Sequence, residues 1–334
     1  MTAHLSLNYD LTGHNTLGLK ARSQFARIVE DPAELPGLLA AAERDGLPVR
    51  VLGGGSNVIL GEDFSGVTVL MASRGRTLTE QSDGAVLLEA QAGENWHELV
   101  AWTVGQELWG LENLAGIPGT VGAAPIQNIG AYGVELRDRF VSLDAYDRAT
   151  SAFVTLDRDA CRFAYRHSVF KEQPGRYVVT RVRLKLARNG VAELGYRELS
   201  ALGAVDRPQV VMDVVLKTRG AKLPDWRVQG NVGSFFHNPI VSERLGHAFL
   251  FANPGAPAFP QGDGTIKLSA GWLIEQAGLK GHRQGTVGVS EQHALVLVNL
   301  GGATRTELMA LADHIVEVVQ ERFGIGLKRE PELL

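Results

Sequence analysis

The chain has 334 residues, 45% of them hydrophobic and 21% charged, which is long enough for two or three cores and too apolar for a disordered protein. A formal net charge of -4 without a lysine/arginine run excludes a dedicated nucleic-acid binder, which carries a basic face. The single cysteine, Cys161, excludes an intrachain disulfide; residues 1–10 lack the layout of a signal peptide, and no apolar run is long enough to cross a bilayer, so a soluble cytoplasmic protein is expected.

In chain order, Asp31 followed by Pro32 and Glu34 predicts a helix start, with Leu35, Leu38, Leu39 and Ala42 sharing one face. Pro36 is compatible only with a first turn. Gly46-Leu47-Pro48 ends that helix, and Val49-Arg50-Val51-Leu52 reads as a strand entering Gly53-Gly54-Gly55-Ser56-Asn57. Val58-Ile59-Leu60 and Val67-Thr68-Val69-Leu70 read as further strands. A strand at residues 86–90 precedes a helix opened by Asn95 and Glu98 and stopped near Gly105. Residues 116–133 are nearly all small, with little helical periodicity. Residues 177–184 alternate as a strand, and Asp206, Pro208 and Gln209 open a helix through Val210, Val211, Val214 and Val215. In the last third, residues 268–274 begin a short helix stopped at Gly278, and residues 294–299 form a buried strand. A helix from Thr304 or Thr306 to Phe323 places Leu308, Leu311, Ala312, Ile315, Val318 and Val319 at helical spacing. Without regular βαβ alternation, an α+β fold is expected rather than a doubly wound sheet.

Two glycine-rich stretches carry the chemistry. A loop holds a pyrophosphate when its backbone N–H groups converge on the oxygens with no side chain in the way, and glycines permit both the close approach and positive φ. Residues 53–57 fit that task or that of a tight turn between two strands. They are not the dinucleotide fingerprint of a Rossmann fold, because Val58 stands at the third glycine and an apolar strand follows; no Walker A sequence occurs. The second stretch runs from Glu112 through Ile117-Pro118-Gly119-Thr120-Val121-Gly122-Ala123 to Gln127-Asn128-Ile129-Gly130-Ala131-Tyr132-Gly133. It is too long for a hairpin turn, and Gln127 and Asn128 offer hydrogen bonds to the edge of a heterocycle. Two such loops suggest one extended ligand.

With the later Gly233-Ser234-Phe235-Phe236, these stretches resemble the UDP-N-acetylenolpyruvoylglucosamine reductase family, in the form carrying a tyrosine-bearing loop, here Leu194-Gly195-Tyr196-Arg197-Glu198-Leu199. The resemblance runs from about Leu17 to Glu332. It implies a two-part FAD-binding region of the vanillyl-alcohol-oxidase/PCMH type and a smaller α/β substrate domain. Residues 1–75 and 76–222 would form the two FAD-binding subdomains, with 328–334 returning to the first, and 223–327 the substrate domain. It further implies bound FAD reduced by NADPH and then reoxidised by UDP-N-acetylglucosamine enolpyruvate, giving UDP-N-acetylmuramate for peptidoglycan, with no membrane or nucleic-acid partner and a monomeric state.

The same resemblance assigns the sites. Gly53, Gly54, Gly55, Ser56, Asn57, Gly119, Gly122, Ala123, Gln127, Asn128 and Gly130 fall on the cofactor. Hydride addition to the enol carbon leaves an enolate-like carboxylate that needs a cation and an acid at the α-carbon. Arg166 matches the cation, Ser234 the proton donor and Glu332 the acidic relay. Tyr132, Tyr196, Lys222 and Asn238 fall on the sugar-nucleotide positions, joined by Gln292 or His293. Two departures stand out: His237 precedes Asn238 where many members have lysine, and the sequence continues only two residues past Glu332, which questions how that glutamate is anchored. Against this stand a hydrolase, for which Ser168-Val169-Phe170-Lys171 lacks partner motifs, a metalloenzyme, for which no histidine cluster exists, and a non-catalytic nucleotide-binding module. An FAD oxidoreductase of the same fold acting on another substrate is the alternative.

Overall fold

The computed structural model describes residues 5–334; the signal-peptide reading rests in part on residues 1–4, outside them. The chain divides into two compact units. The first takes the residues up to Tyr9, Ser23–Gly55 and Asp63–Gly220; the second takes Asp10–Arg22, Ser56–Glu62 and Ala221–Leu334. The division passes through the first glycine loop, between Gly55 and Ser56.

The first unit holds two sheets. The smaller orders its strands Ser6–Asp10, Arg22–Val29, Asp63–Met71, Val49–Leu52, the last two parallel with Val49 opposite Val67. Helix Leu35–Arg44 buries Leu35, Leu39 and Ala42 in one cluster with Val67, Val69 and Met71. The Asp31 carboxylate accepts from Ala33 N (2.9 Å), and Pro36 falls in the first turn, where its missing N–H costs nothing.

The larger sheet is antiparallel, in the order Ala152–Asp157, Phe140–Asp147, Tyr177–Ala187, Ala85–Gln91, Arg76–Glu80. Along Tyr177–Ala187, Val182, Leu184 and Leu186 point into the core, while Arg183 on the other face bonds Asp144 (2.7 Å) and Glu89 (2.5 Å). Helix Trp96–Gly105 covers the apolar face through Trp96, Leu99, Val100 and Val104; Asn95 caps it by accepting from Glu98 N (3.0 Å). Helix Pro208–Lys222 joins that core through Val211, Met212 and Val215. Each such side chain, fully buried, contributes about 1.5–3 kcal/mol.

The second unit is built on the antiparallel order Asn231–Ser234, Val296–Asn299, Val287–Val289, Arg283–Gln284. Helix Arg305–Phe323 packs Leu308, Leu311, Ala312, Ile315 and Val319 into its core. That helix opens on a capping box between Thr304 and Glu307 and closes on Gly324 at φ 67°. A second sheet orders Ile240–Ser242, Thr265–Leu268, Ala258–Pro260.

Several boundaries differ from the sequence reading, two of them for a plain local reason. Leu268 ends a strand opposite Ala258, and the helix begins at Ala270, because the Ser269 hydroxyl accepts from Trp272 N (3.2 Å) and caps it there. The strand expected from residue 294 begins at Val296, because Val296 N donates back to His293 O (3.0 Å) in a turn. The α+β class holds. Among the described residues no helix is long and apolar enough to cross a membrane.

Candidate active site

Within the first unit the two glycine stretches pack backbone against backbone. A Cβ on Gly54 would lie 2.7 Å from Gly119 Cα, and one on Gly53 would lie 2.4 Å from Thr120 Oγ1 and 3.3 Å from Ala123 Cβ. A Cβ on Gly122 would meet Ala92 Cβ at 2.6 Å. These three positions lack side chains because the loops themselves need the room. Gly55 and Gly119 instead need glycine for their backbones, at φ 60° and 119°. The second stretch is pinned to the larger sheet by Trp96 N on Gly119 O (3.1 Å), Val121 N on Glu94 O (2.9 Å) and Gly122 N on Ala92 O (2.9 Å). It then winds as a seven-residue 3-10 helix, Val121–Gln127, ending on Asn128 at φ 44°. Val121, Gly122 and Ala123 spend their N–H groups on Glu94 O, Ala92 O and Thr120 O, so the glycine turns at residues 53–55 and at Gly119 are the backbone that fits the pyrophosphate of FAD.

Asn128 departs from its expected use. It is fully buried; its amide donates to Glu135 Oε2 (3.0 Å) and Ala164 O (3.1 Å) and accepts from Arg137 N (3.0 Å). With both amide hydrogens engaged and its backbone N–H donating to Pro125 O (3.2 Å), Asn128 shapes the end of the loop. Gln127 is half-buried.

Arg166 sits at φ 50° in a two-residue turn closed by Ala164 and His167, which exchange backbone hydrogen bonds of 3.1 Å. The left-handed conformation of a non-glycine residue is held by the surroundings, here by Arg166 Nη2 donating to Gly130 O (2.8 Å). The guanidinium therefore stands beside the end of the second glycine stretch. Ser168, the serine of the hydrolase pattern, is buried with its hydroxyl donating to Ile126 O (2.5 Å), a structural use.

Tyr132 and Tyr196 meet edge to face with centroids 4.9 Å apart. The fully buried Asn113 ties their segments together by donating to Tyr132 O and Glu193 O, both at 2.9 Å. Burial pushes the Tyr132 hydroxyl up to about 12, against the pull of Arg219, to which it is hydrogen-bonded. Arg219 is half-buried, and burial lowers its pKa. A Cβ on Gly116 would come within 3.1 Å of Arg219 Nε. The signal available in the sequence for this cation is its place one turn before Lys222.

In the second unit Ser234 ends strand Asn231–Ser234, opposite Val296. Gly233 before it has φ 70°, a bulge held by Gly233 N on Asn231 Oδ1 (2.9 Å), which re-aims the strand at Ser234. Phe235 and Phe236 are fully buried and anchor the following turn of chain. Glu332 is anchored after all: it lies in a short strand Glu332–Leu333 parallel to Val58–Ile59, with Glu332 N on Asn57 O (3.0 Å). Asn238 Oδ1 accepts from Ala270 N (3.0 Å), at the start of a helix.

Gln292 is exposed, whereas His293 is half-buried. Burial first, then the charges of Lys222 and Lys280, hold the His293 pKa below 6.5. Its Nδ1 accepts from Leu295 N (3.2 Å), which puts the proton of the neutral ring on Nε2. For a histidine whose pKa is lower in the folded state, the stability present above the unfolded pKa is lost as pH falls through the folded one. His293→Gln is therefore expected to lose less stability than the wild type between about pH 7.5 and about pH 5 in urea titrations. Equal losses would contradict the shielding.

Comparison with known proteins agrees with this layout. Residues 24–157 match the FAD binding domain family, and residues 225–334 match the C-terminal domain family of UDP-N-acetylenolpyruvoylglucosamine reductase. The chain is 48% identical to the UDP-N-acetylenolpyruvoylglucosamine reductase of Paraburkholderia phymatum, over 98% of this chain and 97% of that one. It is 47% identical to that of Pseudomonas aeruginosa, over the whole of both chains. The crystal structure of the Thermus caldophilus reductase superposes with a TM-score of 0.68 at 26% identity, covering 98% of each chain. With near-half identity along its entire length and both domain families in their expected order, the chain belongs to the UDP-N-acetylenolpyruvoylglucosamine reductase family.

Proposed function

We propose that this protein reduces UDP-N-acetylglucosamine enolpyruvate to UDP-N-acetylmuramate, in the cytoplasm, for peptidoglycan precursor synthesis. The observation that carries this is the 48% identity, over 98% of the chain, with a reductase of that name. Residues 53–57 with Gly119, Gly122, Ala123, Gln127, Asn128 and Gly130 would hold FAD, Asn128 by shaping the end of the second loop. Bound there, the flavin would supply hydride transfer between NADPH and the terminal enol carbon.

The chain's own residues do the rest. Arg166, fixed by its turn, neutralises the charge that builds on the substrate carboxylate; a planar, permanently charged guanidinium suits a carboxylate. The Ser234 hydroxyl gives its proton to the α-carbon, and Glu332 acts as the acidic relay that helps to move it. Lys222, Tyr132, Tyr196, Asn238 and His293 bind the sugar nucleotide. Arg219, half-buried and hydrogen-bonded to Tyr132, adds a cation beside that side chain.

Colour tests the reading. The purified protein is expected to be yellow, to bleach anaerobically with NADPH, and to recover its colour with UDP-N-acetylglucosamine enolpyruvate. A colourless protein that cannot be reconstituted with FAD sinks it. Bleaching without recovery leaves an oxidoreductase for another substrate.

A further inference from the structure

Residues 328–334 belong to two pairings at once, both within the second unit. On one side Phe236 bridges Arg329, with His237 N on Lys328 O and Glu330 N on Phe235 O, each 2.9 Å. On the other, Glu332 N bonds Asn57 O (3.0 Å) and Leu334 N bonds Ile59 O (3.1 Å). Ser234 precedes His237 by three residues and Glu332 follows Glu330 by two, so both hang from one ladder. Pairings this short open easily by themselves.

A side-chain contact crosses the ladder. His237 Nδ1 lies 3.5 Å from Glu330 Oε2, with the side chains only 14% and 10% exposed. The contact is an ion pair when the imidazole is protonated, and in so shielded a place the attraction between the two segments is little weakened by water. The Glu330 carbonyl also accepts from Asn57 Nδ2 (3.5 Å), which adds a tie toward the other pairing.

We propose that His237 and Glu330 are positioning residues: their contact locks residues 328–334 onto the strand of Ser234 and so fixes where the Glu332 carboxyl stands relative to the Ser234 hydroxyl. Neither side chain touches substrate in this role. The catalytic part of the proposal rests on the function proposed above; the lock itself does not.

The experiment uses the FAD-loaded full chain with Glu330→Gln, His237→Leu and His237→Lys, the last placing a permanent cation within reach of the carboxylate. Amide exchange at Glu332 and Leu334 is expected to quicken about tenfold or more in the first two variants and to stay near wild type in the third. Reoxidation by the enolpyruvyl substrate should fall about tenfold with little change in KM, while NADPH bleaching is unchanged and lysine restores the rate. Wild-type exchange at Glu332 in both Glu330→Gln and His237→Leu overturns the lock. Faster exchange with normal reoxidation overturns its link to Glu332. Equal loss of both half-reactions, with loss of flavin, overturns positioning in favour of general support of the fold. A wild-type enzyme that the substrate never reoxidises sinks the functional reading alone, and amide exchange still decides the lock.

Discussion

Replacing Ser234 by alanine is expected to leave anaerobic bleaching by NADPH within about twofold of wild type and to slow reoxidation by the enolpyruvyl substrate about 10²–10⁴-fold, the usual worth of a positioned general acid. The asymmetry follows from the chemistry. Bleaching moves a hydride and needs no proton on a substrate carbon; reoxidation needs one at the α-carbon. Folding should be spared, because Ser234 is half-buried at a strand end and the bulge before it depends on Gly233 and Asn231. Stopped-flow measurement of each half-reaction checks it. Equal slowing of both steps would remove Ser234 from the proton-donor role.

The second large effect is expected at Gly54. An alanine Cβ there would stand 2.7 Å from Gly119 Cα and 3.2 Å from Gly119 C, both backbone atoms that cannot rotate aside. The facing glycine, at φ 119°, is held by its hydrogen bond to Trp96 N, so one loop must be pushed off the other. Overpacking of this kind costs about 1–3 kcal/mol. If the joined loops hold FAD, Gly54→Ala should also lower flavin affinity by about tenfold or more, since each 1.4 kcal/mol is tenfold. Flavin content per protein and urea denaturation read the two effects. Gly37 is the control: it lies in helix Leu35–Arg44 with nothing within 4 Å of its missing Cβ, so Gly37→Ala should leave both unchanged or raise stability. Full flavin content and normal stability in Gly54→Ala would show that the loops tolerate separation.

Much of the fold was legible because local chemistry agrees with it. The Asn95/Glu98 and Thr304/Glu307 starts are local hydrogen-bonding signatures, and both helices begin where those residues stand. The alternation in Tyr177–Ala187 is likewise visible, because one face is core and the other carries arginines. What stayed hidden depends on distant partners. Residues 116–133 have no periodicity, because their conformation is set by Glu94, Ala92 and Trp96 rather than by a repeating face. The glycines of residues 53–57 suggested a ligand, yet Gly53 and Gly54 answer first to a loop some 65 residues away. The site followed the same rule. Ser234 and Arg166 were found by motif, but the strain at Arg166 and the bulge at Gly233 that aim them are tertiary features. The contact of His237 with Glu330 had no sequence signal, because it joins positions 93 residues apart through a backbone ladder.

The makeup of the second unit has a consequence for synthesis. Residues Asp10–Arg22 and Ser56–Glu62 belong with Ala221–Leu334, so they leave the ribosome long before their partners exist. Most of the first unit, by contrast, is one stretch, Asp63–Gly220, and can organise as soon as it is out. The apolar residues Leu17, Leu19 and Ile59 must wait for the core that buries them. That interval is when nascent chains are most exposed to aggregation, and it ends only when the segment carrying Glu332 pairs with Val58–Ile59.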